Sequence, residues 1–359
     1  MGYKQEVVEF VTRQVALGRK QQEVLLNIGI SRSTYSNWRS EFTKPGVLFG
    51  GKSPLEPKER GTKVKITPAE VERILDTKRD NPDKRHRVIQ GLIQAQGYFV
   101  SASTVFKVLK AHDLVESYER RESPWKKPRY SVWARNLLWG TDWTKIKINH
   151  ETWHLLTVID FFSRKIVAWF ITPQVNSSHI RAIYSKAVAA EGITDHMPRP
   201  RLRADQGSPN TARVTRSFFG DLAEGLLTFA RVHRPTDNAL TERFYGTIKQ
   251  EEIYLVGSYP DLTSAEKEIG AYIEYYNESR PHQSLWNFAP NYVHGINNKS
   301  LILAELEEMR FAAKNRRREY WSLVETVEFQ KRMIERYQGN LGKNRVRENL
   351  SNLSKLEKA

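Results

Sequence analysis

Apolar positions in the first forty residues recur three and four apart. Val7, Val8, Val11 and Val15 keep that spacing and Gly18 closes the segment, which predicts a helix. GRKQQEVLLNIGI predicts a second helix ending at Gly29, and Ser31 stands where it would cap a third, RSTYSNWRSEF. Helix, glycine-containing turn and capped helix are the layout of a helix-turn-helix, whose last helix enters the DNA major groove. In that layout Arg32, Ser33, Asn37 and Arg39 face DNA, while Tyr35 and Trp38 divide between core and contact. The same pattern suits a small helical bundle with no DNA role.

A stretch rich in Pro, Gly and Lys, residues 44–63, reads as a linker and separates residues 1–43 from a second helical unit over 64–118. There ITPAEVERILDTKRDNP has Pro at a helix start and Asn81-Pro82 at its end. HRVIQGLIQAQGY predicts another helix stopped near Gly97, and SASTVFKVLKAHDL one capped by Ser101 or Ser103. A second helix-turn-helix or winged helix would offer Thr104, Lys107 and Lys110 to DNA; an all-α spacer is the alternative.

After a basic linker over 119–135, which carries Lys126 and Lys127 as further DNA contacts, the period changes from helical to strand-like. LWGTDWTKIKI, HLLTVIDFF and KIVAWFIT are β-branched and aromatic runs separated by NHE and SR turns, which predicts a meander of three strands. Next come a helix near 177–191, a short strand at RLRAD, a helix near 211–224, a strand at LLTFARV and a helix in TDNALTERFYGTIKQEE, with Thr236 or Asp237 as cap. Antiparallel strands followed by strands alternating with helices imply a mixed five-stranded sheet with helices on its faces. This is an α/β, ribonuclease-H-like domain in outline, over residues 136–296.

Charge now changes the picture. The 359 residues carry a formal +16, distributed as +4 over 1–60, +7 over 61–135, zero over 136–296 and +5 over 297–359. The basic excess lies outside a neutral centre and favours a polyanion partner. Cysteine is absent, which excludes disulfide scaffolds, thiol nucleophiles and Cys-ligated zinc. No apolar run is long enough to span a bilayer and no signal-peptide core follows Met1, so a cytoplasmic location is expected.

The chemistry must then rest on carboxylates. Asp142 lies within the first strand, where burying an acid is costly. Asp205 ends the fourth strand before the Gln206-Gly207 turn, and Glu242 sits in the first turns of the late helix. A strand, a strand end and a helix can meet at one sheet edge. Three carboxylates there repel one another unless divalent cations neutralise them. Two such ions would activate a water or a 3′-hydroxyl for phosphodiester chemistry.

On WGTDWTKI, TVIDFFSRKIVAW, RADQGS, RPTDNALTERFYGTIKQE and YYNESRPHQSL followed by Pro290, the chain resembles the DDE transposases of bacterial insertion sequences with a retroviral-integrase-type core. It is most similar to the insertion-sequence-three-like group over roughly residues 125–295. The helical segment over 86–114 also resembles the helix-turn-helix that precedes such cores. The resemblance implies that Asp142, Asp205 and Glu242 are catalytic and bind two Mg²⁺ ions, with Mn²⁺ as substitute. It implies that Lys249, two helical turns after Glu242, approaches the transposon end, and that Asn238 and Arg243 position the site or touch phosphate. Asp160 in TVIDFFSR is implied to have a strand-end hydrogen-bonding role and not to bind metal; His282 in RPHQSL is open between a buried, hydrogen-bonded histidine and a DNA or catalytic role. Thirty-six residues separate Asp205 from Glu242, against 35 usual in the family; one extra residue near Gly225 accommodates this.

The activity implied is binding of terminal inverted repeats, 3′-end nicking and strand transfer into target DNA by a two-metal mechanism, through a circular intermediate made by copying. A homo-oligomer, at least a dimer, on double-stranded DNA and a nucleoid-associated location in a bacterium go with it. A catalytically silent DNA-binding regulator and a ribonuclease-H-like structure-specific nuclease are the competing readings. Beyond residue 297, Ile302, Leu306, Met309, Ala313, Tyr320, Val324, Val327, Ile334 and Tyr337 trace a helical seam interrupted by the KNRRRE run. The expectation for 297–359 is a helical extension that docks on another protomer or crosses DNA.

Overall fold

The computed structural model describes residues 2–42, 65–115, 132–223, 225–230, 239–337 and 343–358. In chain order, α1 (Tyr3–Ala16), α2 (Gln21–Ile28), α3 (Arg32–Phe42), α4 (Pro68–Asp80), α5 (His86–Ala95) and α6 (Ala102–Ala111) precede the sheet. Then come β1 (Leu138–Ile148), β2 (Glu151–Asp160), β3 (Ile166–Thr172), α7 (Ser177–Ala190), β4 (Arg201–Ala204), α8 (Ser208–Thr211), α9 (Arg213–Leu222) and β5 (Leu227–Phe229). The chain continues as α10 (Ala239–Ile248), a π-helical turn (Lys249–Ile253), α11 (Tyr254–Val256) and α12 (Leu262–Glu278). It ends with α13 (Pro290–Ile296), α14 (Lys299–Tyr337) and α15 (Lys343–Lys358). Among the described residues, no helix is long and apolar enough to cross a membrane.

Contacts divide the chain into two compact units, residues 80–308 and residues 1–79 with 309–359. In the first, the sheet order is β3-β2-β1-β4-β5. The β1–β2 and β2–β3 pairs are antiparallel, whereas β1–β4 and β4–β5 are parallel. This is the mixed ribonuclease-H-like sheet that the strand and helix periods predicted. Alternation along the strands feeds two cores. On one face Ile146, Ile148, Leu155 and Ile159 pack with Phe244 and Ile248 of α10 and Ile269, Ile273 and Tyr276 of α12. On the other, Trp139, Leu156 and Val158 pack with Ile180, Ile183 and Tyr184 of α7 and Phe219 of α9.

The boundary at Arg79/Asp80 cuts through the stretch 64–118 that was expected to be one domain. The physical reason lies in two separate attachments. Glu70 of α4, in a capping box with Thr67, is held by the Arg317 guanidinium of α14 at 2.7–2.9 Å. Helix α5 instead packs on α6 and on the loop around residue 281.

In the unit formed by both chain ends, α1–α3 enclose Val7, Phe10, Val11, Leu25, Ile28 and Tyr35. The Ser31 hydroxyl accepts the Thr34 N–H at 3.0 Å, so the predicted cap of α3 is formed. Phe329 and Met333 of α14 close this core, with Phe329 stacked on Phe10 at 4.1 Å between ring centroids. The Gln330 and Asn349 side-chain amides both donate to the Asn27 carbonyl, at 2.9 and 3.0 Å. The extension expected to dock on another protomer therefore spends this face on its own N-terminal helices, because the α1–α2 pair alone leaves an apolar surface uncovered.

Candidate active site at the sheet edge

The parallel β1–β4 pair leads toward two acids. β1 and β4 run parallel with Leu138 opposite Arg201 and Gly140 opposite Arg203. Asp142 lies two residues beyond Gly140 on β1, and Asp205 two residues beyond Arg203, just past the end of β4 at Ala204. Asp142 shares its sheet face with Gly140 and Ile146, the face that α10 covers.

Gly140 explains why α10 comes so near. A Cβ there would lie 2.4 Å from the Phe161 ring and 2.9 Å from the Thr241 hydroxyl, so only glycine admits the first turn of α10 against β1. Glu242 follows Thr241, on the exposed side of that turn. Tyr245, one turn on, is buried, and its hydroxyl donates to the Asp142 carbonyl while standing 2.8 Å from the Thr157 hydroxyl. Neither residue was singled out from sequence; a glycine in mid-strand two positions before the acid was the available signal.

Burial is the main force that raises the Asp142 carboxyl to about 7, and the charges of Asp205 and Glu242 push the same way. The Trp143 N–H, donating to its Oδ1 at 2.8 Å, and the Lys249 ammonium pull in the opposite direction. Burial also raises Glu242. The Asp205 Oδ1 accepts from the Gly207 N–H at 2.9 Å and from the Asn210 side-chain amide at 2.6 Å, which fixes its rotamer. The three acids thus share one electrostatic neighbourhood, with Lys249 beside them. Lys249 is not within α10, as expected, but opens the π-helical turn that follows it.

Three carboxylates are an all-oxygen donor set of the kind that suits hard divalent cations. As the side chains lie, no group of three His, Asp or Glu among the described residues is gathered closely enough to hold a metal ion. The fit is therefore one of donor chemistry and of mutual repulsion, which a cation would relieve.

The remaining expected contacts are scattered. Arg32, Ser33, Asn37 and Arg39 are exposed along α3. Lys107 and Lys110 are exposed on α6, but Thr104 is half-buried with its N–H and hydroxyl on the capping Ser101. Arg243 is exposed on α10 next to Glu242. Lys126, Lys127, Asn238 and the cap candidates Thr236 and Asp237 lie outside the described residues.

Two further residues are settled by their surroundings. Asp160 is fully buried and accepts from the Asn136 N–H at 2.9 Å and from the Ser163 N–H and hydroxyl, both at 2.7 Å. That is the strand-end hydrogen-bonding role expected of it. His282 is pushed down to about 3 by burial and by the charges of Arg280 and Arg164, and its ring meets Tyr276 edge-on at 4.5 Å. It is a neutral, half-buried imidazole.

An integrase core domain model matches residues 134–235, and a second integrase core domain model matches residues 226–290. The chain is similar to the transposase for insertion sequence element IS904 of Lactococcus lactis, 32% identical over 176 residues, covering 47% of this chain and 67% of that one. It is also similar to an uncharacterized protein of insertion element IS136 from Agrobacterium fabrum, 33% identical over 163 residues, covering 44% of this chain and 83% of the other. Among solved structures, the HTLV-2 integrase catalytic core domain in complex with magnesium aligns with a TM-score of 0.35 and 17% identity, over 45% of this chain and 97% of that one.

Proposed function

We propose that this chain, which belongs to the integrase-core transposases of insertion sequences, binds the terminal inverted repeats of its own element, nicks their 3′ ends and joins them to target DNA. The observation that carries the proposal is that the charges of both Asp205 and Glu242 act on the Asp142 carboxyl, at the edge where β1 and β4 run parallel. Asp142, Asp205 and Glu242 would hold two divalent ions, Mg²⁺ with Mn²⁺ as substitute. When bound, these supply charge neutralisation and a more acidic water or hydroxyl at the scissile phosphate.

The chain's own groups divide the remaining work. Asn210 and the Gly207 N–H hold the Asp205 carboxylate in one orientation. Tyr245 fixes the Asp142 backbone against α10. Lys249 sets a cation beside the acids, where a DNA phosphate would be met. In the first reaction the oxygen of water bonds to phosphorus and the P–O3′ bond breaks, which frees a 3′-hydroxyl. That hydroxyl then attacks a target phosphodiester, and the target's own 3′-oxygen leaves. The exposed residues of α3 and the lysines of α6 would hold the repeats, by phosphate neutralisation that weakens with salt. A homo-oligomer, at least a dimer, acting on nucleoid DNA in the bacterial cytoplasm completes the reading.

The test incubates the full chain with its element's ends, MgCl₂ and target DNA. Joined products that disappear with Glu242→Gln support the proposal. Binding with no strand chemistry would mark a regulator instead, and cleavage with no joining a nuclease.

A further inference from the structure

The motif segment RPHQSLW, residues 280–286, holds no group of the carboxylate edge, and His282 within it is half-buried and neutral. Its neighbours suggest another task. Gly91 of α5 lies flush on Pro281: a Cβ at Gly91 would come 2.2 Å from the proline Cβ, 2.7 Å from its Cγ and 3.3 Å from the Asn287 Cβ. Three hydrogen bonds surround this contact. The buried Gln94 side-chain amide donates to the Trp286 carbonyl at 2.8 Å, Asn287 Nδ2 donates to Gln94 Oε1 at 3.1 Å, and Arg87 Nη1 donates to Gln283 Oε1 at 2.7 Å.

The loop is itself rigidly made. The Leu285 and Asn287 N–H groups both donate to the His282 carbonyl, at 2.9 and 2.8 Å. Trp286 and Asn287 hold φ of 55° and 69°, left-handed values that an aromatic side chain adopts only when its surroundings fix it. On its other side, Arg280 makes a two-pronged ion pair with Glu251 at 2.6 and 2.8 Å. Glu251 belongs to the π-helical turn that continues α10 and starts at Lys249. An unbroken series of packed groups therefore leads from α5 through Pro281, Arg280 and Glu251 to the helix that carries Glu242.

Helix α6 rides on α5, with Val105 and Leu109 buried and Lys107 and Lys110 turned to solvent. We propose that residues 280–287 are a seat that fixes the α5–α6 pair on the catalytic unit, so that duplex DNA held by Lys107 and Lys110 is cut at one set phosphate. Gly91, Pro281 and Gln94 are positioning residues in this scheme, which rests on the reading of the chain as a transposase. Phosphate contacts fix register, and the seat converts that register into the choice of the bond presented to the acids.

The test uses the full chain with Gly91→Leu and, separately, Gln94→Ala. Leucine is a better helix former than glycine, so α5 itself is not weakened; only its seating is. On an end-labelled duplex of the element's own terminus, cutting at the wild-type phosphate should fall by about 10²-fold for Gly91→Leu. Cuts at neighbouring phosphates should rise, and the Kd for the duplex should move by less than about threefold, since the lysine contacts remain. Gln94→Ala should show the same redistribution to a smaller degree. Hydrogen exchange supplies a readout free of DNA: the Asn287 and Leu285 amides should lose protection in Gly91→Leu while those of β1 and β2 keep it. Unchanged cut positions in a variant whose 285–287 amides have lost protection would overturn the proposal, as would unchanged exchange. A wild-type chain that neither binds nor cuts its ends would sink the transposase reading, a result told apart by the exchange arm.

Discussion

Asp142 and Asp160 belong to the same hairpin and carry the same side chain on opposite faces of the sheet, yet the protein treats them in opposite ways. Asp160 ends β2 with its oxygens turned inward on the Asn136 and Ser163 donors. Beyond Ser163, His294 stands with Nδ1 at 2.9 Å from the serine hydroxyl and Nε2 at 2.6 Å from Glu191. Glu191 in turn accepts from Lys165 at 2.8 Å and Asn136 at 2.9 Å. Every charge in that group meets its complement. Asp142 instead shares its edge with two more carboxylates, and burial together with their charges raises it to about 7. A buried acid supplied with donors is part of the framework; an acid set among acids is prepared for something that arrives later.

The largest effect should come from testing that contrast directly. Asp142→Asn should lower end cleavage by about 10³-fold or more, the loss of several kcal/mol of transition-state stabilisation. Its melting temperature should hold or rise, because a repelled charge is gone. Asp160→Asn should do the reverse. One amide oxygen cannot accept all three donors, and the new NH₂ faces an N–H or a hydroxyl. The fold should lose about 2 kcal/mol, read by denaturant unfolding, while the folded fraction keeps its cleavage rate. Should Asp160→Asn abolish cleavage at unchanged stability, the two aspartates would not divide as argued.

A middle-sized effect separates the two ends by pH. For His294, burial alone would lower the pKa, but the hydrogen bonds and charges of Asp160 and Glu191 raise it above its ordinary 6.5. For Glu191, burial alone would raise it, but donors from His294, Lys165 and Asn136 bring it far below its ordinary 4.5. The signs then follow from linkage. His294 contributes stability that is complete below 6.5 and fades as pH climbs through its raised folded value. Glu191 contributes stability present above 4.5 that fades as pH falls toward its depressed folded value. Thermal melts across this range should show a plateau between those limits, and His294→Phe should remove the alkaline fall. A wild-type profile that keeps its full value well above neutrality would contradict the charged state assigned to His294.

Much of the sheet was legible because its signals are local. The period-two runs at LWGTDWTKIKI and KIVAWFIT sit on β1 and β3, and the change to helical spacing marks α7. The acids of the edge were legible as candidates for the same reason. What was hidden depends on pairing between distant segments. The parallel β1–β4 register, the 134-residue step from Asp160 to His294 and the seating of Gly91 on Pro281 leave no mark on any single window. The tail shows this most plainly. Its helical seam is readable, but that Phe329 and Met333 complete the α1–α2 core follows only once both chain ends are folded.

The smallest predicted effect is the most discriminating about how the edge is built. The Tyr245 hydroxyl joins α10 to β1 at the Asp142 carbonyl and reaches the Thr157 hydroxyl, while the Thr157 carbonyl accepts from Thr141 Oγ1 at 3.1 Å. Tyr245→Phe keeps the ring in its core and removes only this bridge. Stability should fall by about 1 kcal/mol, and the cleavage rate by less than about tenfold, because the carboxylate of Asp142 is held by its own strand and not by the tyrosine. A loss as deep as that of Asp142→Asn would mean that the acid's placement depends on α10. The edge would then be assembled by the helix rather than by the sheet register, and the contrast with Asp160, whose donors all come from neighbouring backbone and Ser163, would rest on mobility as well as on charge.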